Sequence, residues 1–240
     1  MIELEQFMRT KILLGEEKIE QLANSHIIVA GVGGVGGYVV EALVRAGIGN
    51  LTIIDHDVVD ITNLNRQLIT NLDNLGQSKV AQFRQRIKQI NPQINLVTQQ
   101  AFIDANNLPQ LLASKPNYVI DCIDTIESKL SLITYCLTHK IKLISSMGAG
   151  NRIDVTKVKF ADISKTKECA LARNLRLRLR KLGIHKGLTV IYSEEQSFAK
   201  PMLNPQGGRP INGTISYLPA LFGIMLAGKV LQELIYDEKL

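Results

Sequence analysis

Five glycines fall within seven residues at Gly31-Val32-Gly33-Gly34-Val35-Gly36-Gly37, directly after the apolar run Ile27-Ile28-Val29-Ala30. The segment from Tyr38 to Ala46 has a helical pattern and stops at Gly47, and Leu51-Thr52-Ile53-Ile54-Asp55 reads as a second strand ending in an acid. In a strand, glycine turn, helix and strand unit, the turn lets the backbone approach a phosphate. The helix N-terminus adds N–H donors and the positive end of its dipole. Gly31-x-Gly33-x-x-Gly36, with Gly34 inside it, has the spacing of a dinucleotide-binding turn, and Asp55 follows Gly31 by 24 residues, where a ribose-binding acid belongs. The spacing alone does not separate NAD, FAD and ATP.

The alternation of strand and helix continues down the chain. Ser78 is placed to cap a helix that ends near Ile90, before Pro92. Strands are predicted over Asn95 to Thr98, over Tyr118 to Asp124 with acids at its C-terminal end, and over Lys142 to Ser146, with a helix from about Glu127 to His139. This pattern predicts an α/β, Rossmann-like fold, a mostly parallel sheet covered by helices. Beyond residue 150 the pattern loosens. It predicts a strand over Ile153 to Phe160, a basic helix over Cys169 to Leu182, a strand over Leu188 to Tyr192, a long loop from Glu194 to Gly213, and a mostly helical stretch from Thr214 to Tyr236. No repeat and no linker interrupts the chain, so residues 1–240 read as one domain, with a nucleotide-binding core over about 25–150 and a C-terminal, substrate-facing elaboration over 151–240.

Composition excludes several classes. A chain of 240 residues that is 45% hydrophobic and 21% charged has the material for a large aliphatic core and does not read as disordered. Cys122, Cys136 and Cys169 form no CxxC pair, which argues against a disulfide framework and a four-cysteine zinc site. The uncharged run from Pro210 to Gly228 is polar at its start and holds Pro219; its apolar part, Leu218 to Ala227, is too short to span a bilayer, so a core helix is expected and no membrane anchor. The acidic start Met1-Ile2-Glu3-Leu4-Glu5 has no apolar signal core, and a cytoplasmic location is expected.

A second cluster is more specific than the glycine turn. Asp55-His56-Asp57 leads into Asn63-Leu64-Asn65-Arg66-Gln67, and Lys79 follows. Arg66 and Lys79 are cations suited to a triphosphate, and Asn63 can donate to a phosphate oxygen. Asp124, at the end of a strand, can hold Mg²⁺, which prefers carboxylate oxygen beside phosphate. Together these motifs resemble the E1-like adenylating family, which activates ubiquitin-like and sulfur-carrier proteins. The resemblance implies that Gly33 and Asp55 hold ATP with Asp57 beside them, that Asn63, Arg66 and Lys79 hold its phosphates, and that Asp124 holds Mg²⁺. It further implies a homodimer in which Arg9, within Arg9-Thr10-Lys11-Ile12-Leu13-Leu14-Gly15, reaches the partner's ATP site.

The C-terminal part separates branches of that family. Gly148-Ala149-Gly150-Asn151-Arg152-Ile153-Asp154, Asp162-Ile163-Ser164-Lys165-Thr166, Leu171-Ala172-Arg173 and Thr214-Ile215-Ser216-Tyr217-Leu218-Pro219 resemble the branch that dehydrates threonylcarbamoyladenosine in the anticodon loop of tRNA. That branch adenylates the threonyl carboxylate with ATP, and the nucleoside then closes on itself. No enzyme nucleophile is needed, because the attacking group is tethered at high effective molarity. Glu168-Cys169-Ala170 departs from the Asp-Pro common at that point of the branch. Charge gives separate support. The chain carries 28 Lys and Arg against 22 Asp and Glu, a net +6. On the helix from Cys169, Leu171, Leu175, Leu179 and Leu182 share one face, Arg178 flanks it, and Arg173, Arg176, Arg180 and Lys181 lie opposite, a basic stripe suited to tRNA phosphates. Two alternatives stay open: adenylation of a ubiquitin-like or sulfur-carrier protein, with Cys169 as a thioester candidate at the start of a basic helix, and a non-catalytic nucleotide-sensing domain.

Overall fold

The computed structural model describes residues 5–197, 202–203 and 211–236. Seven strands form one sheet: β1 (His26–Ala30), β2 (Asn50–Ile54), β3 (Asn95–Gln99), β4 (Tyr118–Asp121), β5 (Leu143–Ser146), β6 (Val158–Asp162) and β7 (Thr189–Ser193). Their order is β3-β2-β1-β4-β5-β7-β6, with every pair parallel except β6 against β7. The helices are α1 (Met8–Leu14), α2 (Glu16–Asn24), α3 (Gly36–Ala46), α4 (Lys79–Ile90), α5 (Leu108–Leu111), α6 (Ile126–Thr138), α7 (Ala170–Lys181) and α8 (Tyr217–Tyr236).

Both faces of β1 are buried, and its alternation divides them. Ile27 and Val29 enter a core with α3, α4 and α8, whereas Ile28 and Ala30 enter a second core with α5, α6 and α7. Val39, Leu43 and Val44 on α3 meet Leu218, Phe222, Leu226 and Val230 of α8 in the first core. By length and composition α8 could cross a membrane, yet 44% of its apolar window is buried inside the fold, against α3 and the sheet. The chain runs from β1 outward to β2 and β3, then returns to β4 on the other side of β1. Ala30 lies level with both Ile54 and Asp121, so a crevice opens beyond the C-terminal ends of β1, β2 and β4.

Two sequence-based boundaries move for identifiable reasons. The strand expected over Tyr118 to Asp124 stops at Asp121, whose carboxylate accepts the Ile123 amide at 3.0 Å and turns the chain out of the sheet. Asp124 therefore stands in the β4–α6 loop. The strand expected from Ile153 begins only at Val158, because Asp154 accepts both the amide and the hydroxyl of Thr156 and holds residues 155–157 in a turn. Ser78 is the residue before α4, but its hydroxyl caps nothing and is buried without a partner. Much of the loop expected over Glu194 to Gly213 lies outside the described residues.

Candidate active site

The glycine turn is held by sterics and by one carboxylate. Gly31 has φ +84°, and a Cβ at Gly36 would lie 1.8 Å from the Gly31 carbonyl oxygen, so the turn closes onto α3 more tightly than any side chain permits. Asp55, at the end of β2, accepts the Val32 amide at 2.7 Å through one oxygen and the Asp57 amide at 2.9 Å through the other. It braces the turn as well as facing the crevice.

A cleft of about 590 Å³ occupies the crevice. Gly31, Gly33, Gly34, Asp55, Asp57, Asn63, Arg66, Lys79 and Asp124, drawn from five separate stretches of sequence, all line it. Gly36 does not; it is buried beneath the turn. The walls beyond β5 come from Gly148, Ala149 and Gly150, and Leu171 brings the start of α7 to the rim. Arg9 lies elsewhere, exposed on α1, with no hydrogen bond or ion pair among the described residues.

The cations are held in place before any ligand arrives. Lys79 is only 4% exposed, and its ammonium donates to Asp57 at 2.7 Å. Asp57 also faces the His56 ring at 3.1 Å. Asp55, His56 and Asp57 offer three metal-ligating groups within 4.8 Å of one another, but the Lys79 ammonium already neutralises Asp57 and two amides occupy Asp55. That trio is built around lysine and not around a metal. Arg66 donates to the Thr62 carbonyl at 2.8 Å and to the Asn65 side chain at 3.0 Å, which aims its guanidinium. Burial pulls its pKa below the usual arginine value, opposed by the charges of Asp124 and Asp60. Asn63 is buried, and its carbonyl oxygen accepts the Asp60 amide at 3.2 Å, leaving the amide nitrogen to the cleft. Asp124 is exposed, has no hydrogen bond among the described residues, and faces the cleft with its charge acting on the Arg66 guanidinium.

Some polar groups in and beneath the cleft carry no marked role in the sequence reading. Gln67 lines the cleft, is buried, and has a side-chain oxygen without a partner. Its place next to Arg66 in the Asn-Leu-Asn-Arg-Gln run was the available signal. Lys129, on α6, is fully buried and donates to Asp121 at 2.6 Å and to Ser145 at 3.1 Å, directly below the loop that carries Asp124. A lysine in a helical pattern reads as solvated, so nothing in the sequence marked it. Arg152, 7% exposed, donates to the carbonyls of Gly148, Gly150, Glu168 and Glu195, and so fastens the cleft wall to the start of α7.

The basic helix divides on inspection. Arg173, Arg180 and Lys181 are exposed. Arg176 is half-buried, and its guanidinium donates to Ile163 at 3.3 Å and to both oxygens of Thr166 at 3.0 and 2.6 Å. It belongs to the packing of α7 and not to an open basic face, because the turn before α7 presents carbonyls to it. Arg178 pairs with Glu127. Leu175 and Leu179 are buried as expected, while Leu182, past the last turn, is exposed. Cys169 and Cys136 are buried, with Cys136 pushed up to about 12, and Cys122 is partly exposed in the cleft wall with burial raising its thiol.

A doubly wound sheet with a glycine turn and two anchored cations at its switch point is the arrangement of a nucleotide-binding α/β protein. Residues 6–239 match the ThiF family, and the chain belongs to it. It is 39% identical over 244 residues to a tRNA threonylcarbamoyladenosine dehydratase of Bacillus subtilis (strain 168), covering 98% of this chain and 96% of that one. The solved structure of the Escherichia coli tRNA N6-threonylcarbamoyladenosine dehydratase in complex with ATP superposes with a TM-score of 0.89 at 35% identity, over 98% of this chain and 95% of that one. A molybdopterin-synthase adenylyltransferase of Escherichia coli (strain K12) is 28% identical over 204 residues, 84% of this chain and 82% of that protein.

Proposed function

We propose that this chain is an ATP-dependent tRNA threonylcarbamoyladenosine dehydratase. The observation that carries the reading is the match to dehydratases across nearly the whole of both chains, combined with the assembly of the anion-binding residues in one cleft. ATP fits the groups present. The backbone of Gly31, Gly33 and Gly34 lines the cleft, Gln67 keeps an unpartnered buried oxygen, and Arg66 and Lys79 set two cationic side chains in its wall. Mg²⁺ fits the exposed carboxylate of Asp124 at the cleft, and when bound it would neutralise phosphate charge.

The threonyl carboxylate oxygen attacks the α-phosphorus of ATP, and pyrophosphate leaves with the electron pair of the broken P–O bond. Arg66 and Lys79 neutralise the charge that builds on the phosphate oxygens, and they are preorganised by Thr62, Asn65 and Asp57, so little reorganisation is needed. An atom of the same nucleoside then attacks the activated carbonyl, AMP leaves, and one proton is lost. The net change is removal of one water, with ATP converted to AMP and pyrophosphate. The scheme needs no thiol nucleophile.

The exposed Arg9 and the exposed Met8, Ile12 and Leu13 on the same helix support a homodimer in which α1 docks on a second copy and Arg9 completes its cleft. Exposed Arg173, Arg180 and Lys181, on the helix whose start borders the cleft, support tRNA as the partner. Incubation with ATP and tRNA carrying the threonylcarbamoyl group, followed by mild digestion and mass spectrometry, should show a nucleoside lighter by one water. Formation of an adenylate on a sulfur-carrier protein, with tRNA unchanged, would refute the reading.

A further inference from the structure

The end of the sheet opposite the cleft holds a second cavity, of about 890 Å³ against about 590 Å³ for the cleft. Ser25, Asn117 and Lys142, the residues just before β1, β4 and β5, form part of its wall. The reaction described above uses none of it.

The charge of its described lining is mostly positive. Lys115, Lys140 and Lys142 stand exposed around it, and none of their ammonium groups has a hydrogen bond or ion pair among the described residues. Among the described residues the one carboxylate in its lining, Glu233, is already engaged by the Tyr118 hydroxyl at 2.8 Å and by Lys229 at 3.3 Å. Lys115 and Lys140 sit at left-handed φ values of 50° and 56°, in turns that glycine would make without strain. Those turns therefore carry long cationic side chains to the same cavity. The rest of the wall is partly apolar, with Leu112, Pro116 and Ile141, and with the Tyr135 ring stacked on His139 at 4.0 Å between centroids.

A part-apolar cavity of this size takes a small organic molecule. Three unpaired ammonium groups suit phosphate, whose oxygens accept from several donors at once. We propose that this cavity is a second ligand site, for a small organic phosphate of nucleotide size, independent of the cleft.

Equilibrium dialysis with AMP as the probe tests this. The parent protein should bind two AMP per chain. The triple variant K115Q/K140Q/K142Q should keep one, with affinity for the other lowered ~10-fold or more by the loss of three charge contacts. R66A/K79A should also keep one, the opposite one. All three lysines are exposed, and an unchanged circular dichroism spectrum confirms the fold of the triple variant. A parent that binds a single AMP, lost in R66A/K79A, overturns the proposal, and so does a triple variant that binds like the parent. If the triple variant binds AMP like the parent but loses tRNA affinity, the lysines form an RNA contact and the proposal fails. Two sites in R66A/K79A, with one lost in the triple variant, would count against the cleft assignment and leave the second site standing.

Discussion

Lys129→Met is the most discriminating single change, because it separates a buried ion pair from ordinary packing. In the parent, Asp121 and Lys129 are both 0% exposed, and the Asp121 carboxylate takes Lys129 and Ser145 on one oxygen, each at 2.6 Å, and the Ile123 amide on the other. Methionine fills much the same volume, so little cavity is created. What remains is a buried carboxylate with two neutral donors and no counter-charge. Breaking one partner of a buried pair costs about 3–5 kcal/mol, a large fraction of the roughly 5–15 kcal/mol that separates folded from unfolded states. For a chain of this size, that is a fall of about 6–20 °C in Tm. The double variant Asp121→Asn with Lys129→Met keeps an acceptor for the Ile123 amide and removes the charge, so it should recover at least half of the loss. Urea denaturation of all three proteins, with m-values compared, measures this directly. A loss below about 1 kcal/mol for the single variant, or a double variant no better than the single, would show that the pair is not what holds the β4–α6 junction.

Arg66→Ala and Lys79→Ala should each lower ATP turnover on the order of 10²-fold or more while the fold survives, since each removes one preorganised charge partner; pyrophosphate release is the measurement, and near-parent rates would remove the site assignment. Mixing Arg9→Ala subunits with Arg66→Ala subunits should restore part of the activity through one intact composite site per mixed dimer, and no recovery after demonstrated subunit exchange would count against a shared site. Neutralising Arg173, Arg180 and Lys181 together should raise the tRNA KM and flatten its salt dependence with ATP affinity unchanged. Arg176→Ala should instead lower stability by about 1–3 kcal/mol with the tRNA salt dependence intact, because its bonds are internal; the reverse pattern would restore it to the basic face. Burial holds the Cys122 and Cys136 thiols well above their usual range, Cys136 up to about 12, so both should stay protonated and unlabelled by iodoacetamide at pH 8 until the chain is unfolded.

The local parts of this protein were legible in its sequence. The strand, glycine turn and helix at Ile27 to Gly47 follow from steric freedom at glycine and from a short apolar run, both properties of consecutive residues. The same holds for the alternation that predicts a mostly parallel sheet. Spacing along the chain also singled out Asp55 as a ribose-binding candidate and Asn63, Arg66 and Lys79 as phosphate-binding candidates, and the structure brings all four to one cleft. What the tertiary structure decided was which charges stay in water. Lys79 lies 22 residues from Asp57, and only the packing of α4 below the crevice brings them together. Asp124 left its strand because Asp121 spends its carboxylate on Lys129, Ser145 and the Ile123 amide. Arg176 and Arg152 look like surface charge in one dimension, yet carbonyls from distant turns converge on them. Periodicity and steric rules act over a few residues, whereas the burial and pairing of a charge depend on which elements meet, and that is fixed only when the sheet and its two helical layers close.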